Sequence, residues 1–102
     1  MKGPIVELSV VPLGTGSTSV SEYVRVAYDI IKQSGLDYEV TPMGTCLQGD
    51  WDTIFATIRK IHDRLAELGC GRITSTIKID DRRDKDRPMR AKVEAVVEER
   101  TK

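Results

Sequence analysis

The stretch Thr41-Pro42-Met43-Gly44-Thr45-Cys46-Leu47-Gln48-Gly49-Asp50-Trp51 decides how this chain is folded. An extended segment, Leu36 to Thr41, leads in, with Leu36, Tyr38 and Val40 alternating against Asp37, Glu39 and Thr41. Pro42-Met43-Gly44 breaks it, and a short strand from Thr45 to Gln48 follows. Gly49-Asp50 then starts a helix, with Asp50 as its N-cap. Strand, turn, strand and helix cap thus follow one another within eleven residues, so this stretch is the hinge of the fold and the expected wall of a small-molecule site.

Working outward, the helix after Asp50 carries Trp51, Ile54, Phe55, Ile58, Ile61, Leu65 and Leu68 as an apolar stripe that stops at Gly69. Upstream, Ile5 to Val11 alternates Val6, Leu8 and Val10 with Ile5, Glu7, Ser9 and Val11, the period of a strand with one apolar side. The loop Pro12 to Thr18 leaves it, and Ser19 and Glu22 have capping-box spacing, which predicts a helix from Val20. That helix places Val20, Tyr23, Val24, Ala27, Ile30 and Ile31 on one side and ends at Gly35. Downstream, Arg72 to Asp80 alternates Ile73, Ser75, Ile77 and Ile79 with Arg72, Thr74, Thr76 and Lys78. The mixed-charge run Asp80 to Arg87 reads as a solvated connection. Pro88 opens a terminal helix with Met89, Val93, Val96 and Val97 on one side.

The order strand, helix, strand, strand, helix, strand, helix predicts an α+β ferredoxin-like βαββαβ fold: an antiparallel sheet with two helices on one face and an additional C-terminal helix. A single domain spanning residues 1–102 accommodates all of it, and a chain of this length buries roughly two thirds of its unfolded surface. The other sheet face, with Glu7, Ser9, Thr74 and Thr76 beside Ile5 and Val11, mixes polar and apolar residues. A homo-oligomer that stacks these faces, or covers them with a neighbour's terminal helix, would shield the apolar part.

Composition narrows the function. With 39% hydrophobic residues, 31% charged residues and zero formal net charge, the chain lacks the net basic character of a nucleic-acid binder. The apolar run Ile5 to Leu13 is interrupted by Glu7 and Ser9, so neither a signal peptide nor a membrane anchor is expected and the expected location is cytoplasmic. Cys46 and Cys70 form no metal-ligand pair with the single histidine, His62; both reduced thiols and a disulfide across the fold are compatible with the sequence. No nucleophile stands at usable spacing from a base, so no catalytic residue, no metal and no enzymatic activity are expected. The loop Gly14 to Thr18 lacks the lysine and spacing of a P-loop. Thr41, Thr45, Gln48 and Trp51 offer hydroxyls, an amide and an indole, a set suited to a flat heteroaromatic ring.

Pro12-Leu13-Gly14, Ser19 to Val24, Ser34 to Tyr38, Pro42 to Thr45 and Arg72 to Arg82, in this order and spacing, resemble the small thiamine-binding proteins of the YkoF-like superfamily. The resemblance covers nearly the whole chain. It implies a ferredoxin-like fold with an extra C-terminal helix, homodimers that pair into homotetramers, and non-catalytic binding of thiamin or its hydroxymethylpyrimidine part, with no other cofactor. It carries Gly14, Ser17, Thr45 and Gln48 as ligand-binding positions, and Trp51 joins them from its place beside the hairpin. The family more often has an acidic residue where Gln48 stands, and the neutral amide gives up a charge that would favour a cationic ring. An oligomeric structural or regulatory module without thiamin binding is the alternative.

Overall fold

The computed structural model describes residues 2–16 and 21–101. In chain order it forms β1 (Ile5–Leu13), α1 (Ser21–Gln33), β2 (Asp37–Thr41), β3 (Gly44–Gln48), α2 (Trp51–Glu67), β4 (Arg72–Asp80) and α3 (Arg90–Thr101). The strands make one four-stranded sheet in the order β2-β3-β1-β4, every pairing antiparallel. This is the expected α+β ferredoxin-like fold with its added terminal helix. The expected capping box falls on Ser19, outside the described residues.

Register assigns each side chain to a face, because residues paired directly across a sheet point the same way. Val6 pairs with Leu47 and Ile79, and Leu8 with Thr45 and Ile77, so these residues share the face covered by α1 and α2. The core sits there: Val6, Leu8 and Leu47 pack with Ala27 and Ile31 of α1 and with Ile54, Ile58, Ile61 and Leu65 of α2. Each large aliphatic residue buried in this way contributes about 2 kcal/mol through removal of apolar surface from water. The outer members of the expected stripes remain exposed, namely Val24, Phe55 and Leu68.

Local chemistry ends the elements. Asp50 is extended at φ −76°, ψ 154° and accepts from Thr53 N at 2.9 Å, the N-cap expected from its place before Trp51. At the other end of α2, Gly69 takes φ 99°, its N–H reaches Ala66 O and Cys70 N–H reaches Leu65 O, each at 3.0 Å. These two bonds form a Schellman closure, with Cys70 buried against the core at the residue after the glycine. In the two-residue Pro42-Met43 turn, Thr41 Oγ1 donates to Gly44 O at 3.0 Å. A Cβ on Gly44 would lie 2.6 Å from Leu8 O, so only glycine lets β3 begin this close to β1.

Two expectations about the sheet need correction. β1 runs two residues beyond Val11, through Pro12, which pairs with Ile73, to Leu13. β3 pairs with β1 only from Ile5 to Leu8; further along, β4 is the sole strand partner of β1 among the described residues. Proline is tolerated in such an edge stretch because its missing N–H takes no ladder bond away. The second correction concerns the face away from α1 and α2. Its end is covered by the chain's own C-terminal segment: Met89 is buried there, while Val93, Val96 and Val97 of α3 are more than half exposed.

Candidate functional site

The two ends of the sheet carry different cavities. At the hairpin end, a cavity of about 260 Å³ opens between α1, the outer half of β1 and the Pro42-Met43 turn. Apolar groups dominate its lining, among them Val10, Ala27, Ile31 and Val40, with ring surface from Tyr23 and Tyr28 and hydroxyls from Thr41 and Thr45. Tyr28 meets Tyr38 edge-to-face, with ring centroids 5.9 Å apart at 80°. The interaction with the Tyr28 hydroxyl is the main reason the Tyr38 hydroxyl titrates above its ordinary value. Ser9, Val10, Val11 and Pro12 also line the cavity, in the stretch where β1 has lost β3 as a neighbour. The edge of β1 therefore offers backbone donors and acceptors to anything lying in the cavity.

At the other end, the chain after β4 crosses the sheet and is tied down by Gln48. Its Nε2 donates to Gly3 O at 3.1 Å and to Arg87 O at 2.8 Å, and its Oε1 accepts from Met89 N at 2.7 Å. Gln48 is 4% exposed. With both amide hydrogens and the carbonyl oxygen engaged inside the chain, it ties three segments together. Arg90 reinforces the tie by donating to both carboxylate oxygens of Asp37 at 2.9 Å and to Tyr38 O at 3.2 Å. Lys92 pairs with Asp80, and its hydrogen bond and charge hold that carboxyl below the usual carboxylate range. Asp86 Oδ1 accepts from the N–H groups of Lys2 and Gly3.

The sequence-derived site residues divide between these ends. Thr45 lines the hairpin cavity, and Gly14 follows directly on β1 at the same end. Ser17 lies outside the described residues. Gln48 is opposite Ile5, at the start of β1, and it points to the face opposite Thr45. Trp51 stacks on Phe55, with centroids 6.0 Å apart and planes 4° from parallel, and lines a cavity with Arg82 and Lys85. The expected convergence of Thr41, Thr45, Gln48 and Trp51 does not occur, because an odd offset along a strand sends Thr45 and Gln48 to opposite faces. Tyr23 and Tyr28, five positions apart on α1, were the unrecognised contributors. Tyr23 packs against the core, as its place on the apolar side of α1 predicts, and also lines the cavity; two tyrosines on one helix are the available signal.

The remaining candidates are accounted for locally. His62 Nε2 lies 2.5 Å from Ser75 Oγ, bridging α2 to β4. Both cysteines are free thiols. Burial raises the pKa of the Cys46 thiol, and the carboxylates of Glu7 and Glu39, its neighbours in the two flanking strands, raise it further. Among the described residues, no group of three or more His, Cys, Asp or Glu side chains is placed to hold a metal ion, and no helix is long and apolar enough to cross a membrane. Arg72 opens β4 opposite Leu13, whereas Arg82 and Arg83 follow the strand's far end at Asp80, about 27 Å along it, so Arg72 stands apart from them.

Comparison with known proteins agrees with this architecture. The family described as "Thiamine-binding protein" matches residues 6–97. A UPF0045 protein of Methanothermobacter thermautotrophicus is 45% identical over 93 residues, which are 90% of this chain and 94% of the relative. The UPF0045 protein YqgV of Bacillus subtilis is 35% identical over 96 residues, covering 90% of this chain and 92% of the relative. The crystal structure of MJ1052 from Methanocaldococcus jannaschii superposes with a TM-score of 0.86 at 37% identity, covering 96% of this chain and 99% of that one. With the match running from β1 into α3, the chain belongs to the thiamine-binding protein family.

Proposed function

We propose that this protein binds thiamin or a related aminopyrimidine, without chemical conversion, in the cavity between α1 and the β2–β3 hairpin. The observation that carries this reading is the unpaired edge of β1 from Ser9 to Pro12 inside an otherwise apolar, tyrosine-bearing cavity. An aminopyrimidine presents donors and acceptors along one edge and two apolar faces. A strand edge complements the first, and Tyr23, Tyr28 and the aliphatic lining complement the second. The volume of about 260 Å³ suits a single ring more than an extended ligand, which favours the hydroxymethylpyrimidine part as the recognised element. Thr41 and Thr45 add hydroxyls at the hairpin side, and Gly14 follows directly on the strand whose edge lines the cavity. Gln48 serves this function indirectly, by fixing the fold at the opposite end.

Assembly belongs to the same reading. Val93, Val96 and Val97 on α3 and Val11 and Leu13 on the sheet are exposed apolar side chains, and pairing of copies as a homodimer or homotetramer would cover them. Light scattering is expected to give a multiple of the chain mass, and a monomer at every concentration contradicts this part. Calorimetry with thiamin and with hydroxymethylpyrimidine tests the ligand. Saturable heat is expected for both, and no heat at millimolar ligand overturns the assignment.

A further inference from the structure

The end of the sheet tied by Gln48 holds a second cavity, of about 300 Å³, with a different chemistry. Its charged lining consists of Arg82, Lys85, Arg87 and Lys92 against one carboxylate, Asp80. The chain has zero formal net charge, so this local excess of positive charge is not a property of the surface at large. Asp80 is engaged by Lys92, and Arg82 is held by both oxygens of Asp84 at 2.8 and 3.1 Å. Lys85 and Arg87 have no ion-pair partner among the described residues.

The surroundings favour an anion as well. Two backbone carbonyls at this end, of Gly3 and Arg87, would repel negative charge. Both are capped by the amide hydrogens of Gln48, which directs its own oxygen to Met89 N. An adjoining cavity of about 350 Å³ shares Gly3, Arg82 and Lys85 with it and is walled by Trp51, by Asp81 paired with Arg83, and by Asp86, whose carboxylate accepts from Lys2 N and Gly3 N. Positive charge and an aromatic surface therefore adjoin each other across Arg82 and Lys85.

We infer that this cationic cavity binds a phosphate group, held by Lys85 and Arg87, with Arg82 at the boundary toward Trp51. Tetrahedral oxyanions accept from guanidinium and ammonium donors together, and two unpaired cations facing one cavity supply both kinds. The site is independent of the aminopyrimidine cavity, which lies at the other end of the sheet, so either assignment can fail alone. The phosphate is either free or carried on a ring; in the second case the ring would lie against Trp51.

Trp51 is the only tryptophan, and it lines the adjoining cavity that shares Arg82 and Lys85 with this site, so its fluorescence is the readout. The protein is titrated with inorganic phosphate, pyrophosphate and phenyl phosphate at constant ionic strength. A saturable change in Trp51 emission is expected with pyrophosphate or phenyl phosphate. Lys85→Ala and Arg87→Ala should each weaken it at least fivefold, whereas Arg59→Ala, whose side chain pairs with Asp63 on α2 and lines neither cavity, should leave it within twofold. Tighter binding of phenyl phosphate than of inorganic phosphate identifies a ring-borne group, and equal binding identifies the free ion. No response at 10 mM, the same response to sodium chloride, or full retention in the Lys85→Ala/Arg87→Ala double variant overturns the inference. Unchanged circular dichroism of the variants separates loss of the site from loss of the fold.

Discussion

The two ends of the sheet use similar polar groups for opposite purposes. At the hairpin end, β1 runs past the end of β3 and leaves backbone groups facing a cavity. At the crossing end, Gln48 is buried and all of its hydrogen-bonding capacity is taken up by Gly3, Arg87 and Met89. A buried amide saturated from within holds the architecture together, whereas a strand edge left unpaired beside ring surface can receive a ligand. The two ends thus differ in whether their hydrogen-bonding groups are satisfied within the chain, more than in residue type.

The largest effect is expected from breaking the tie. Gln48→Leu leaves Gly3 O, Arg87 O and Met89 N without their partner beside an apolar side chain, and stability should fall by about 3 kcal/mol. The check is the urea midpoint at unchanged denaturant slope; a loss below about 1 kcal/mol would mean that the crossing segment is held elsewhere. Next comes the hairpin cavity. Tyr23→Ala should weaken thiamin binding about tenfold, equivalent to about 1.4 kcal/mol, and Thr45→Val should weaken it by a smaller factor. Trp51→Leu, at the other end, should leave thiamin affinity within twofold in the same calorimetric titration.

Smaller effects sharpen the contrast on the sheet face between the two ends. Cys46 lies between Glu7 and Glu39, and its raised pKa keeps the thiol protonated at neutral pH. Iodoacetamide should therefore react with it more slowly than with a free thiol at pH 8, with the rate climbing as pH rises, and Glu39→Gln should accelerate the reaction modestly. The smallest effect is acid sensitivity at the α3 attachment. Asp80 has a depressed folded-state pKa, so its stabilising contribution is complete above the ordinary aspartate value and is lost as pH falls through the folded value, below about pH 4. The urea midpoint followed from pH 5 to pH 2 should fall less steeply in Asp80→Asn than in the parent.

Much of the fold was legible because periodicity survives in single segments. Asp50 before a stripe of Ile54, Ile58, Ile61 and Leu65 specifies α2 and its cap, and alternation in Arg72–Asp80 specifies β4. Less of the site could be read. Whether Thr45 and Gln48 face one cavity depends on strand geometry: the local sequence brings them close, while their three-residue offset separates them across the sheet. Gln48's partners are 39 to 45 residues distant in sequence, so its structural role becomes visible only once β4 and the crossing segment are in place. Pro12 reads as a strand terminator from sequence because the end of the β1–β3 pairing at Leu8, which makes the proline harmless, is a property of the sheet. The charge run Asp81 to Arg87 is exposed, as expected for a connection, yet its path across the sheet makes it the wall of a cavity.

The central claim is that an aminopyrimidine ring is recognised by the edge of β1 under α1. Its most direct test is a titration of isotopically labelled protein with thiamin, followed through backbone amide resonances. The account predicts saturable shifts concentrated at Ser9 to Val11, Tyr23, Tyr28 and Thr41 to Thr45, with little change at Gln48, Lys85 and Met89. Shifts confined to the Gln48 end, or none at millimolar thiamin, would contradict it.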